Sequence, residues 1–128
     1  MRFLIDTHTF LWFVTDDPKL SDYALGLIED ETNEVYLSMA TLWEIAIKFS
    51  IGKLTLHKPF QDFVDEQIHI NEFQLLKIEP AHVKTVSILP LHHRDPFDRM
   101  LIAQSIVENL PIISVDTVFD AYGVNRLW

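Results

Sequence analysis

Arg2-Phe3-Leu4-Ile5-Asp6-Thr7-His8-Thr9-Phe10-Leu11-Trp12-Phe13-Val14 sets the architecture of this chain. Phe3, Leu4 and Ile5 form a short run without polar alternation, as a strand does when both faces of its sheet are covered. Asp6 closes the run, and Thr9 to Val14 then read as a helix. Strand, acid and helix in succession open an α/β unit, in which ligands collect at the carboxyl ends of the strands. Asp6 stands at such an end.

The same pattern recurs along the chain. Glu34 to Leu37, Leu75 to Ile78, Ile112 to Val115 and Asn125 to Leu127 are further short apolar runs. Between them lie segments with helix signals. Ser21 is placed to cap Asp22 to Glu31, with Leu20 and Leu25 as a hydrophobic staple. Leu42, Ile45, Ala46 and Phe49 share a helical face that Gly52 terminates. Pro59 and Pro80 suit helix starts, and Asp95-Pro96 reads as a cap followed by a first helical residue. The alternation predicts a three-layer α/β/α sandwich with a mostly parallel central sheet. The length of 128 residues, few Pro and Gly, and no internal repeat predict a single domain over residues 1–128.

Cysteine is absent, which excludes disulfides, thiolate metal sites and a thiol nucleophile. No signal peptide and no run near the ~20 residues of a membrane span are visible. A cytoplasmic protein without membrane contact is expected. The net charge of -9 argues against a protein that coats nucleic acid electrostatically. It argues less against a nuclease that meets phosphate through bound divalent cations.

Four acids stand at element boundaries beside apolar runs: Asp6, Glu44, Asp98 and Asp116. Carboxylates dispersed in sequence but gathered at strand ends can hold a hard cation, Mg²⁺ or Mn²⁺, and such a centre points to phosphodiester hydrolysis. Each has a structural alternative. Asp6 could cap the following helix, although Thr7 could do so and leave Asp6 facing the cleft. Asp98 falls in the first turn of the helix that Asp95 caps, where the helix dipole favours its ionised form. Glu44 could simply pair with Lys48 one turn on, but Trp43 and Ile47 beside it suggest the rim of a cleft. Asp116 could be a turn residue. The histidines, His92-His93 included, read as surface or loop residues. Arg94 and Arg99 are candidates for phosphate contact, Arg99 alternatively for holding a carboxylate. Lys48, Lys53 and Lys58 are a candidate basic edge.

Four segments together resemble the PIN-domain ribonucleases, specifically the VapC-type toxins of toxin–antitoxin pairs. They are Phe3 to Trp12, Ser38-Met39-Ala40-Thr41-Leu42-Trp43-Glu44-Ile45, His93-Arg94-Asp95-Pro96-Phe97-Asp98-Arg99-Met100-Leu101-Ile102-Ala103-Gln104, and Ile113-Ser114-Val115-Asp116. The third is the most specific, and the order and spacing hold nearly end to end. Ser114 stands where a Thr is common. The resemblance implies metal-binding catalytic acids at Asp6, Glu44, Asp98 and Asp116, Mg²⁺ or Mn²⁺ as cofactor, and structured RNA such as tRNA or rRNA as substrate. It also implies a homodimer and a cognate antitoxin that fills the active-site groove.

Two rivals remain open on the residues. A phosphatase or phospho-accepting α/β domain also uses strand-end aspartates, but the D-x-D-x-T loop and the paired acids of such domains are missing after the first run. A non-catalytic RNA- or protein-binding module on the same fold would bind without regard to chelator or to the acids.

Overall fold

Phe3 and Ile5 project to one side of the first strand and Leu4 to the other, and all three are fully buried. In the computed structural model, which describes residues 1–128, that strand is β1 (Arg2–Ile5). It is the middle of a five-stranded sheet with β2 (Glu34–Ser38), β3 (Gln74–Leu76), β4 (Ile112–Ile113) and β5 (Arg126–Leu127), in the order β3-β2-β1-β4-β5. Every neighbouring pair is parallel, so the sheet goes beyond the mostly parallel expectation.

Two cores follow from the alternation on β1. On one face Phe3, Ile5, Val35, Leu37 and Ile113 pack with residues of four helices: α1 (Thr7–Val14), α2 (Asp22–Glu29), α3 (Met39–Ser50) and α4 (Phe60–Asn71). Phe10, Ala24, Ile28, Leu42, Ile45 and Phe63 are the buried contributions from those helices. On the other face Leu4 and Ile112 meet Leu101 and Ile102 of α6 (Pro96–Glu108) and Phe119 of a 3-10 helix (Thr117–Tyr122). The remaining helix, α5 (Pro80–Val86), packs on α6. This is the predicted α/β/α sandwich. Each large aliphatic or aromatic side chain taken fully out of water contributes about 1.5–3 kcal/mol, so β1, with three, anchors both layers.

Several boundaries move for local reasons. Helix α1 begins at Thr7, not Thr9, because Asp6 itself is the cap. Helix α2 stops at Glu29 rather than Glu31, where the Asp30 carboxylate accepts from the Thr32 amide and hydroxyl and turns the chain. Strand β3 lies at Gln74–Leu76 rather than Leu75–Ile78, since Leu76 pairs with Ser38 and β2 ends there. Strand β4 shortens to two residues because β5 offers only Arg126 and Leu127 as partners. After α3, Gly52 takes the left-handed conformation at φ 77, the stop its position predicts.

Candidate metal centre

At the carboxyl end of β1 the Asp6 side chain is 3% exposed and its Oδ1 accepts the Thr9 amide at 2.8 Å. Asp6 therefore caps α1, a role equally open to Thr7 on residue type alone. The Thr7 hydroxyl is used elsewhere, donating to Glu44 Oε1 at 2.8 Å and lying 3.2 Å from Thr41 Oγ1. Past the end of β4, Asp116 caps the 3-10 helix, its Oδ1 accepting the Val118 amide at 3.0 Å. Asp95 Oδ1 caps α6 through the Phe97 and Asp98 amides, as its place before Pro96 predicts. In each of the three, one carboxylate oxygen is fixed to a helix start and the other takes no part in the cap.

Asp98 projects from the first turn of α6. Its Oδ2 lies 2.8 Å from His93 Nε2, and Asp116 Oδ2 lies 3.3 Å from the same nitrogen. Ligand-type atoms of His93, Asp98 and Asp116 all fall within 4.8 Å of one another. Burial first, then the charges of Asp95 and Asp6, push the Asp98 carboxyl up to about 7, with His93 opposing and Glu44 adding. Burial also raises Asp6, against the hydrogen bonds of Ser114 and Thr9. The fields of Asp6, Glu44 and Asp95 thus meet at Asp98, while Asp116 reaches it through His93.

Hard oxygen donors dominate this group, and it carries negative charge close enough to hold protons near neutrality. Both properties fit a hard divalent cation, which would replace those protons. Asp6 and Glu44 lie deep, whereas the Asp98 and Asp116 side chains are 22% and 36% exposed, so the centre is open on one side. At the rim the Trp43 and Phe97 rings, one residue before Glu44 and Asp98, meet edge to face at 5.1 Å.

A model of the PIN domain family matches residues 3–125. The chain belongs to the PIN domain family. Ribonuclease VapC16 of Mycobacterium tuberculosis is 30% identical over 77 residues, which cover 54% of this chain and 55% of that protein. The chain thus spans about half the length of this curated relative. Among solved structures the same PIN fold occurs in VapBC2 of Rickettsia felis, bound to a promoter DNA fragment. The TM-score is 0.71 at 14% identity, covering 99% of this chain and 98% of that one. FitAcB of Neisseria gonorrhoeae matches with TM-score 0.68 at 18% identity, over 100% and 97% of the two chains. VapBC-1 of nontypeable Haemophilus influenzae gives 0.67 at 12% identity, over 99% and 97%.

Three sequence readings need correction. His93 is not a bystander of a surface loop; it stands between Asp98 and Asp116. His82 is fully buried on α5, its Nδ1 accepting the Glu79 amide and its Nε2 3.0 Å from Glu108 Oε1. Arg99 pairs with no carboxylate. Its guanidinium donates to the carbonyls of Val86, Leu89, Pro90 and His93 and to the Tyr122 hydroxyl. The Tyr122 hydroxyl also accepts the amides of His92 and His93. Arg99 and Tyr122 therefore wind the loop that delivers His93. Of the lysine edge, Lys48 is paired with Glu44 and Lys58 with Glu66.

Proposed function

We propose that this PIN domain is a VapC-type endoribonuclease toxin, dependent on Mg²⁺ or Mn²⁺, with Asp6, Glu44, Asp98 and Asp116 as its catalytic and metal-binding acids. It cleaves structured RNA of the tRNA or rRNA class in the cytoplasm and is inhibited by a cognate antitoxin. Residues 1–128 act as one unit and pair as a homodimer. The observation carrying this reading is the convergence of His93, Asp98 and Asp116 within 4.8 Å, where burial and the charges of Asp95, Asp6 and Glu44 raise Asp98 to about 7. The partial similarity to a protein named as a ribonuclease, and a fold shared with VapBC and FitAB proteins, lend support.

When bound, the divalent ion supplies a polarised phosphodiester and a more acidic water. The chain supplies the geometry. Asp6 and Asp116 present oxygens steadied by their caps, and Asp98 presents its own from a rigid helix start. Glu44 adds charge from α3. His93 is a donor poised at Asp98 and Asp116, within reach of groups that gain or lose protons there. The negative field that recruits the ion would also recruit a basic side chain of an antitoxin. Along α3 and its C-cap, Met39, Trp43, Ile47 and Ile51 recur every fourth residue and are exposed, a surface suited to a protein partner.

The test is incubation with total tRNA and rRNA in Mg²⁺ or Mn²⁺, beside EDTA and Asp98→Asn controls. Discrete fragments lost in both controls are expected. Intact RNA throughout would replace this reading with a non-catalytic RNA- or protein-binding role.

A further inference from the structure

Glu44 is gripped from both sides. The Thr7 hydroxyl donates to Oε1 at 2.8 Å and the Lys48 ammonium to Oε2 at 2.7 Å. An exposed pair four residues apart on a helix joins two mobile side chains and contributes only ~0.3–0.5 kcal/mol. Here the Glu44 side chain is 7% exposed and anchored by Thr7, so the cation is held at a fixed place. Lys48 is itself 41% exposed, its ammonium against Glu44 within and solvent without.

Glu44 also stands apart from the tightest part of the centre. The atoms that converge within 4.8 Å belong to His93, Asp98 and Asp116; Asp6 and Glu44 both lie outside that group, and of these two it is Glu44 whose carboxylate already holds a cation, the Lys48 ammonium. Yet the charge of Glu44 is felt at Asp98. A metal ion taken up by Glu44 would stand beside an ammonium already in charge-assisted contact with it, and the two like charges would oppose each other.

We propose that Lys48 is the second cation of this centre: one divalent ion serves Asp6, Asp98 and Asp116, and the Lys48 ammonium, fixed by Glu44, contacts an RNA phosphate oxygen. The inference rests on the nuclease reading above and refines it at one residue, assigning Glu44 to the Lys48 ammonium in place of a metal ion. An ammonium has three donors, of which Glu44 takes one and leaves two for phosphate. In two-metal phosphodiesterases a second ion supplies the matching charge. In this arrangement Glu44 acts as a positioning residue for Lys48.

The experiment counts Mn²⁺ ions per chain by electron paramagnetic resonance, on RNA-free protein at pH 8. Wild type, Lys48→Met and Lys48→Arg are compared, the arginine variant keeping the charge should the methionine variant fold poorly. One ion is expected in the wild type and in Lys48→Arg, and two in Lys48→Met, where Glu44 becomes free. Two ions in the wild type, or one in Lys48→Met, would overturn the inference. A second arm uses Asp98→Asn protein, metal-free, with a single-stranded oligoribonucleotide. Adding Lys48→Met should lower the slope of log affinity against log salt by about 0.7, the share of one phosphate contact. An unchanged slope overturns the phosphate contact. Neither arm involves cleavage. Failure of the wild type to cut RNA would sink the nuclease reading, whereas failure here with cutting intact would remove only the role of Lys48.

Discussion

Thr7 Oγ1 lies 2.8 Å from Glu44 Oε1, joining the first turn of α1 to the middle of α3 across 37 residues of sequence. Both side chains are buried. A buried acceptor that loses its donor costs about 1–3 kcal/mol, while Val matches Thr in shape. Thr7→Val should therefore lower stability by roughly that amount in urea unfolding. A change below about 0.5 kcal/mol would mean the bond is dispensable.

Asp98 sets the pH dependence. Its carboxyl is raised from 3.8 to about 7, so across that window the folded chain holds a proton that the unfolded chain releases. Stability must then fall as pH rises from about 4 to about 7. The raised Asp6 carboxyl acts in the same sense. Asp98→Asn removes the contribution of that carboxyl, so its melting temperature should gain on the wild type as pH rises. Parallel curves for the two proteins would contradict this.

Cation binding reverses that proton uptake. An ion at Asp98 needs the ionised carboxylate, so Mn²⁺ affinity should climb by up to about tenfold per pH unit below pH 7 and level off above it. Calorimetry in two buffers of different ionisation enthalpy reads the released proton directly. Equal heats in both would leave Asp98 outside the site.

His93 is the one neighbour found to hold the Asp98 carboxyl down. In His93→Ala it should rise further, moving the acid limb of the pH–activity profile to higher pH. His93→Ala with an unmoved limb would show that the contact has no electrostatic consequence at work.

Arg99 makes five polar contacts to the loop before α6 and to Tyr122. Arg99→Met should cost roughly 2 kcal/mol or more, in keeping with hydrogen bonds made by a charged donor. Hydrogen exchange should quicken between residues 86 and 95. Unchanged exchange there would assign Arg99 to the surface after all.

The sheet was legible because a parallel strand buried on both faces leaves an uninterrupted apolar run, as Phe3-Leu4-Ile5 does. The acids were legible as the polar residues that end such runs, and Glu44 as the polar member of Leu42-Trp43-Glu44-Ile45. Strand ends were less so, because Lys77 and Ile78 have acceptable strand composition but no partner beyond Ser38. His93 escaped because its position depends on how a loop folds back, and loop geometry leaves no periodicity. Its one signal is placement two residues before a helix cap. Arg99 misled through its acidic neighbours: on a helix, the residue after Asp98 faces another way. His82 had a usable sign in Glu79-Pro80-Ala81-His82, the spacing of a capping box closed by a histidine.

Asp6, Asp95 and Asp116 each spend one oxygen starting a helix. Each such cap contributes about 0.5–2 kcal/mol, so selection for folding alone would favour keeping those aspartates. Glu44 and Asp98 cap nothing. In distant copies, those two positions are where the decay of activity would first be written, and where an apparently intact set of acids should be checked.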